Sequence, residues 1–123
     1  MILKKTYKMV VKKLSDRIKN DTFSSVEFEY LDEIGTPLNL TGASIRVQFR
    51  NNSKKGHVVK DVTDGNGITA TDLANGKFEI DKFTPIDFEV GNYYYDVQTT
   101  LSNGDVKTYV GGTFRVIQDV TNG

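Results

Sequence analysis

An all-β fold, a sandwich of seven or eight short antiparallel strands, is what this sequence predicts. Three observations carry it: apolar and polar residues alternate with period two through most of the chain, turn signals recur about every ten residues, and helical periodicity never persists. The 123 residues include no Cys and no Trp. A chain of this length buries roughly two-thirds of its unfolded surface, enough for a single domain to form a core without disulfides or a structural metal.

The elements follow in order. Residues 7–14 are a β-branched and basic run, and residues 15–21 read as a polar connection. In the next strand Val26, Phe28 and Tyr30 point one way and Ser25, Glu27 and Glu29 the other, until Gly35-Thr36-Pro37 turns the chain. Residues 43–50 repeat the pattern most clearly, with Ala43, Ile45, Val47 and Phe49 inward and Ser44, Arg46, Gln48 and Arg50 outward. A polar loop at residues 51–56 leads into residues 58–62, and Asp64-Gly65-Asn66-Gly67 turns again into residues 68–71. Phe78 and Ile80 share a face in residues 77–80, after which Pro85 breaks the run. Tyr93, Tyr95, Val97, Thr99 and Leu101 line one face of the longest strand, opposite Tyr94, Asp96, Gln98 and Thr100. Asn103-Gly104 predicts a type I′ hairpin into residues 106–117, where Gly111-Gly112 reads as a bulge. Strand number and spacing fit an immunoglobulin-like layout, in which Tyr93, just after the Gly91 turn, bonds back to the preceding corner. A small closed barrel fits the same alternation.

Net charge is zero, yet it is unevenly spread. Residues 1–20 carry seven basic side chains against one acidic, a net +6, and the rest carry nine against fifteen, a net −6. The chain therefore divides into a basic N-terminal segment, 1–20, serving as an edge strand or an assembly arm, and a sandwich domain, 21–123. Lys4, Lys5, Lys8, Lys12 and Lys13 either guard a sheet edge against unwanted pairing or dock on the acidic body of a neighbour, and a homo-oligomer is expected. Nucleic acid is not expected as a partner, because the basic segment has only Tyr7 as an aromatic and no recognition motif beside it. No stretch approaches the roughly 20 apolar residues of a membrane-spanning helix, and the start lacks the apolar core and cleavage site of a secretory signal. Synthesis in the cytoplasm is the expectation.

Chemistry finds few candidates. The lone His57 sits in a hairpin loop, and no phosphate-binding or dinucleotide motif is present. Asp64, Asn66 and Asp72 flank two glycines, but the twelfth position from Asp64 is Asn75, where a calcium loop needs a bidentate Glu. No catalytic residue, metal site or cofactor is expected. On the outward face Tyr94, with Gln98 and Thr100 beside it, is a candidate contact for a sugar ring or a protein partner.

Several segments carry a resemblance: Asp21-Thr22-Phe23 entering a strand, Pro37-Leu38-Asn39-Leu40-Thr41-Gly42-Ala43 leading into Ile45-Arg46-Val47-Gln48-Phe49-Arg50, Gly76-Lys77-Phe78, Gly91-Asn92-Tyr93-Tyr94-Tyr95-Asp96-Val97, and Gly112-Thr113-Phe114-Arg115-Val116. Together, over residues 20–122, they resemble the immunoglobulin-like domains of bacteriophage virion proteins typified by the N-terminal domain of the phage baseplate upper protein. The resemblance implies a non-enzymatic structural component of a tail, baseplate or host-adhesion apparatus, located in the virion and bound to other virion proteins. A carbohydrate-binding module for host surface glycans, using Tyr94, Gln98 or loop residues such as Asn51, Asn52 and Asn66, is the alternative.

Overall fold

The computed structural model describes residues 7–12, 16–32, 34–52 and 56–118, with the backbone alone for 7–12 and Val110. Nine strands are found among them: β1 (Tyr7–Lys12), β2 (Arg17–Ile18), β3 (Val26–Asp32), β4 (Ser44–Asn51), β5 (His57–Asp64), β6 (Gly67–Asp72), β7 (Lys77–Ile80), β8 (Gly91–Thr100) and β9 (Val106–Ile117). They form one curled sheet in the order β1-β3-β7-β6-β5-β4-β8-β9-β2. The curl brings β3 and β7 face to face with β4, β8 and β9. Phe28 on β3 lies stacked on Phe78 of β7, 5.1 Å between ring centres, and meets Tyr95 of β8 edge-on at 5.3 Å. The result is a β-sandwich.

Alternation decides which face of each strand enters the core. Val26, Phe28 and Tyr30 of β3, Ile45, Val47 and Phe49 of β4, Phe78 and Ile80 of β7, and Tyr93, Tyr95 and Val97 of β8 are all buried, as their spacing requires. Full burial of a side chain such as Phe28 or Phe49 contributes roughly 1.5–3 kcal/mol. The core also takes residues from irregular segments that alternation does not reach. Phe23 precedes β3, Leu40 precedes β4, and Ile86 and Phe88 belong to the β7–β8 connection. Phe23 is tied in by a bridge to Phe83 and by rings of Phe49 and Phe114 at 5.6 and 6.2 Å.

Three expectations need correction. The sheet is mixed and has nine strands, because β2 runs parallel to β9 and β5 runs parallel to β6. The two-residue β2 lies inside what reads as a polar connection. It holds there because the Arg17 guanidinium turns inward over the Phe23 ring, 4.6 Å from its centre. The β8–β9 hairpin closes on a wider loop than a type I′ turn: Leu101 donates to the carbonyl of Asp105, and of Asn103 and Gly104 only the glycine has a positive φ, 92°.

The bulge at Gly111-Gly112 is present, where the β8–β9 register slips between Tyr94 and Tyr95. It has a steric cause. A Cβ on Gly111 would lie 2.5 Å from the Tyr95 ring and 2.6 Å from that of Tyr109. Gly67 is needed for a similar reason: its φ is 100° and a Cβ would meet Val62 at 2.5 Å, at the point where β5 and β6 touch.

Candidate functional site

The outward face of β5, β4, β8 and β9 carries the residues that the sequence singles out, Tyr94 and Gln98. It is a bonded polar lattice. Arg46 on β4 grips Asp61 on β5 through Nε at 2.9 Å and Nη2 at 2.5 Å. Arg50 donates to Asp96 at 2.6 Å, to Gln48 at 2.6 Å and to the Gly56 carbonyl at 2.8 Å. The Arg46 guanidinium holds the Asp61 carboxyl below the usual carboxylate range. Opposite charges are thus satisfied within the face. Tyr94 does not present a free ring: it is half-buried, and its hydroxyl sits so close to Gly56 that a Cβ there would come within 2.8 Å. Gln98 is exposed on β8 beyond Asp96, with Thr108 opposite it on β9.

Of the basic candidates, Lys4, Lys5 and Lys13 lie outside the described residues. Lys8 and Lys12 belong to β1 at one end of the sheet order, where the register sets them opposite Leu31 and Glu27.

A different place has the shape of a site. β5 follows β4 along its whole length but meets β6 only at Thr63 and Asp64, so from His57 to Val62 its other edge has no strand neighbour among the described residues. A cleft of about 310 Å³ opens there. One wall is His57, Val58 and Val59, the other is Asp87, Phe88 and Glu89 of the β7–β8 connection, and Asn51 and Tyr93 complete it. The second wall is fixed from behind. Ile86 exchanges backbone bonds with Asn20 and Asp21, and Lys19 Nζ donates to the carbonyls of Asp87 and Phe88 at 3.3 and 2.9 Å. The Tyr93 hydroxyl donates to the Glu89 carbonyl at 2.5 Å, the corner bond that its position after Gly91 implies. Phe88 packs on Tyr93 and Phe49, with ring centres 5.3 and 6.1 Å apart.

The cleft lining is mixed and more polar than apolar, with Asn51, His57, Asp87 and Glu89 standing beside Val58, Val59 and Phe88. Among the described residues the side chains of His57 and Asp87 make no hydrogen bond or ion pair. The lining contains, among the described residues, no Ser, Thr, Cys or Lys that an imidazole could activate as a nucleophile. Among the described residues no three His, Cys, Asp or Glu side chains come together to hold a metal ion. The residues considered for calcium are engaged elsewhere, Asp64 accepting from the Ile45 amide at 3.0 Å and Asp72 from Asn75 at 2.8 Å.

Sequence reasoning missed this cleft. The sequence reads His57 as an exposed loop imidazole; it is exposed, but it is the first residue of β5 and pairs with Asn51, and nothing in the spacing places Asp87 and Glu89 opposite it.

Comparison with known proteins gives little at the level of sequence. No family model matches the chain, and no curated protein matches it. Among solved structures, the chain is similar to that of CopC from Methylosinus trichosporium OB3b, at 14% identity, with a TM-score of 0.54 over 96% of this chain and 100% of that one. The likeness is one of fold. It overturns the expectation of a phage virion component, with its glycan-binding alternative: the architecture that the resemblance tied to a baseplate is matched in a protein of Methylosinus trichosporium OB3b, not of a phage.

Proposed function

We propose that this chain is a non-enzymatic, immunoglobulin-like module that acts by binding a protein partner in extended conformation along the open edge of β5. The immunoglobulin-like layout is supported by strand order. Along the sheet, β1, β3, β7 and β6 correspond to strands A, B, E and D of one layer, and β5, β4, β8 and β9 to C′, C, F and G of the other. The Tyr93–Glu89 bond is the corner expected at the start of strand F.

The observation that carries the binding mode is the half-paired β5. A strand with one neighbour leaves a row of amides and carbonyls unsatisfied by backbone, and an extended segment satisfies them by adding to the sheet. Natural edges are usually short, charged or covered. This one runs through His57, Val58 and Val59 to Lys60, whose ammonium lies 4.2 Å from the centre of the Phe83 ring, and it borders a cleft of mixed polar and apolar lining.

The test is a selection of peptides from a displayed random library on the full chain, followed by amide hydrogen exchange of the complex. Selected peptides are expected to slow exchange at the β5 amides between His57 and Asp61 and to leave the paired amides of β8 unchanged. Binders that protect only other strands, or no binders, overturn the reading.

A further inference from the structure

The turn from β5 into β6 reads Asp64-Gly65-Asn66-Gly67. Both halves of it, Asp64-Gly65 and Asn66-Gly67, pair a short carbonyl side chain with a following glycine, whose amide nitrogen no side chain shields. Asn-Gly recurs at Asn75-Gly76 and Asn103-Gly104, and again at Asn122-Gly123, which lies outside the described residues. In sequence these pairs are alike.

Hydrogen bonding separates them. Asn75 donates from Nδ2 to Asp72 at 2.8 Å, while the Gly76 amide is buried and donates to the Leu73 carbonyl at 3.0 Å. Asn103 accepts from the Asp105 amide at 2.9 Å and donates to its carboxylate at 3.3 Å, and the Gly104 amide donates to the Leu101 carbonyl at 2.8 Å. The Asp64 carboxylate accepts from the Ile45 amide at 3.0 Å, and the Gly65 amide donates to the Ile68 carbonyl at 3.1 Å. Asn66 differs. It is exposed, and its carboxamide makes no hydrogen bond among the described residues. Its backbone carbonyl accepts from the Thr63 amide at 3.0 Å. That bond draws electron density out of the peptide group and so stabilises the negative charge left on the Gly67 nitrogen when it loses its proton.

We propose that Asn66 is a site of spontaneous deamidation, and that the reaction loosens the joint between β5 and β6. The Gly67 nitrogen gives its proton to hydroxide and attacks Cγ of Asn66. The new N–C bond closes a succinimide ring, and Nδ2 takes up a proton and leaves as ammonia. Water then opens the ring at either carbonyl to give aspartate or isoaspartate, so the balance is one water consumed and one ammonia released. Isoaspartate routes the main chain through Cβ and Cγ and lengthens it by one carbon. The joint has no slack for that carbon: Asn66 exchanges backbone bonds with Thr63 at 2.9 and 3.0 Å, and even a Cβ on Gly67 would meet Val62 at 2.5 Å. These residues form the contact of β5 with β6. The inference stands apart from the β5 binding mode and does not depend on it.

The test holds the full chain at mildly alkaline pH and physiological temperature, samples it over time, and maps its peptides by mass spectrometry, which reads conversion as the gain in mass when an amide becomes an acid. Asn66 is expected to convert about tenfold or more faster than Asn75 or Asn103, because those two must break hydrogen bonds before the ring can close. In denaturant the three rates should converge. Conversion at Asn66 no faster than at Asn75 and Asn103 in the folded chain overturns the site, and so does a lead that persists undiminished in denaturant, since the fold would then not be its cause. The loosened joint is read by thermal unfolding of the purified isoaspartate product beside an Asn66→Asp variant, which carries the same new charge on a main chain of normal length. The product is expected to unfold at a lower temperature than the variant, and equal Tm values overturn the loosening.

Discussion

Replacing Tyr93 by Phe removes a single oxygen from a ring that is completely buried. The hydroxyl donates to the Glu89 carbonyl, and the ring lies between Phe88 and Phe114 at 5.3 and 5.8 Å. Phe keeps the ring, so the apolar contribution is unchanged and the loss is that of the corner bond. A hydrogen bond of this kind contributes about 1 kcal/mol net, and up to about 3 when the abandoned partner is sealed from water. The bond is only part-buried, so the lower figure applies. With an unfolding entropy of about 0.26 kcal/mol/K for a chain of this size, Tm should fall by about 4 °C. Tyr93→Ala also empties the ring's space and should cost about 3–5 kcal/mol. Urea unfolding of the three proteins with a common m-value measures both. A Tyr93→Phe variant within about 0.3 kcal/mol of wild type would refute the corner bond as a structural anchor, and with it one of the two supports for the immunoglobulin-like layout.

Gly111→Ala should destabilise the domain by about 1–3 kcal/mol, since the new methyl must displace the Tyr95 or Tyr109 ring; denaturant unfolding that shows no loss would mean that the bulge yields freely. Acid stability turns on Asp16 and Asp61, whose carboxyls are held below 3.8 by hydrogen bonds from Arg115 and Arg46. A folded-state pKa below the unfolded one gives stability that is present above the unfolded value and lost as pH falls through the lowered one. The Asp16→Asn/Asp61→Asn variant should therefore lose less stability than wild type on acidification below about pH 4, and parallel curves would contradict the pairing. At the alkaline end, burial pushes the Tyr95 phenol up to about 12. The unfolded chain releases that proton near 10, so stability should fall between about pH 10 and 12, and Tyr95→Phe should flatten the decline in unfolding curves taken across that range.

The strands of the core were legible in the sequence because burial of one face imposes a period of two. Val26, Phe28 and Tyr30, or Tyr93, Tyr95 and Val97, have no other arrangement that hides every apolar side chain and leaves Glu27, Glu29 and Asp96 at the surface. The same local logic placed the Gly111-Gly112 bulge and the Tyr93 corner, each set by residues a few positions apart on one strand or turn. Tertiary structure alone decided the rest. Phe23, Ile86 and Phe88 are buried from segments without periodicity, because the open end of a sandwich is closed by whatever apolar residues its connections bring there. β2 exists because β9 offers an edge and Phe23 offers a ring for Arg17, neither of which a two-residue run announces. The cleft is the furthest from the sequence: His57 and Asp87 are thirty positions apart, and what joins them is the parting of β5 from β6 after two residue pairs. A site made by an absent strand pairing leaves no pattern in the residues that line it, since each of them is chosen by its own strand or turn and only the path of the whole chain brings them to face one another.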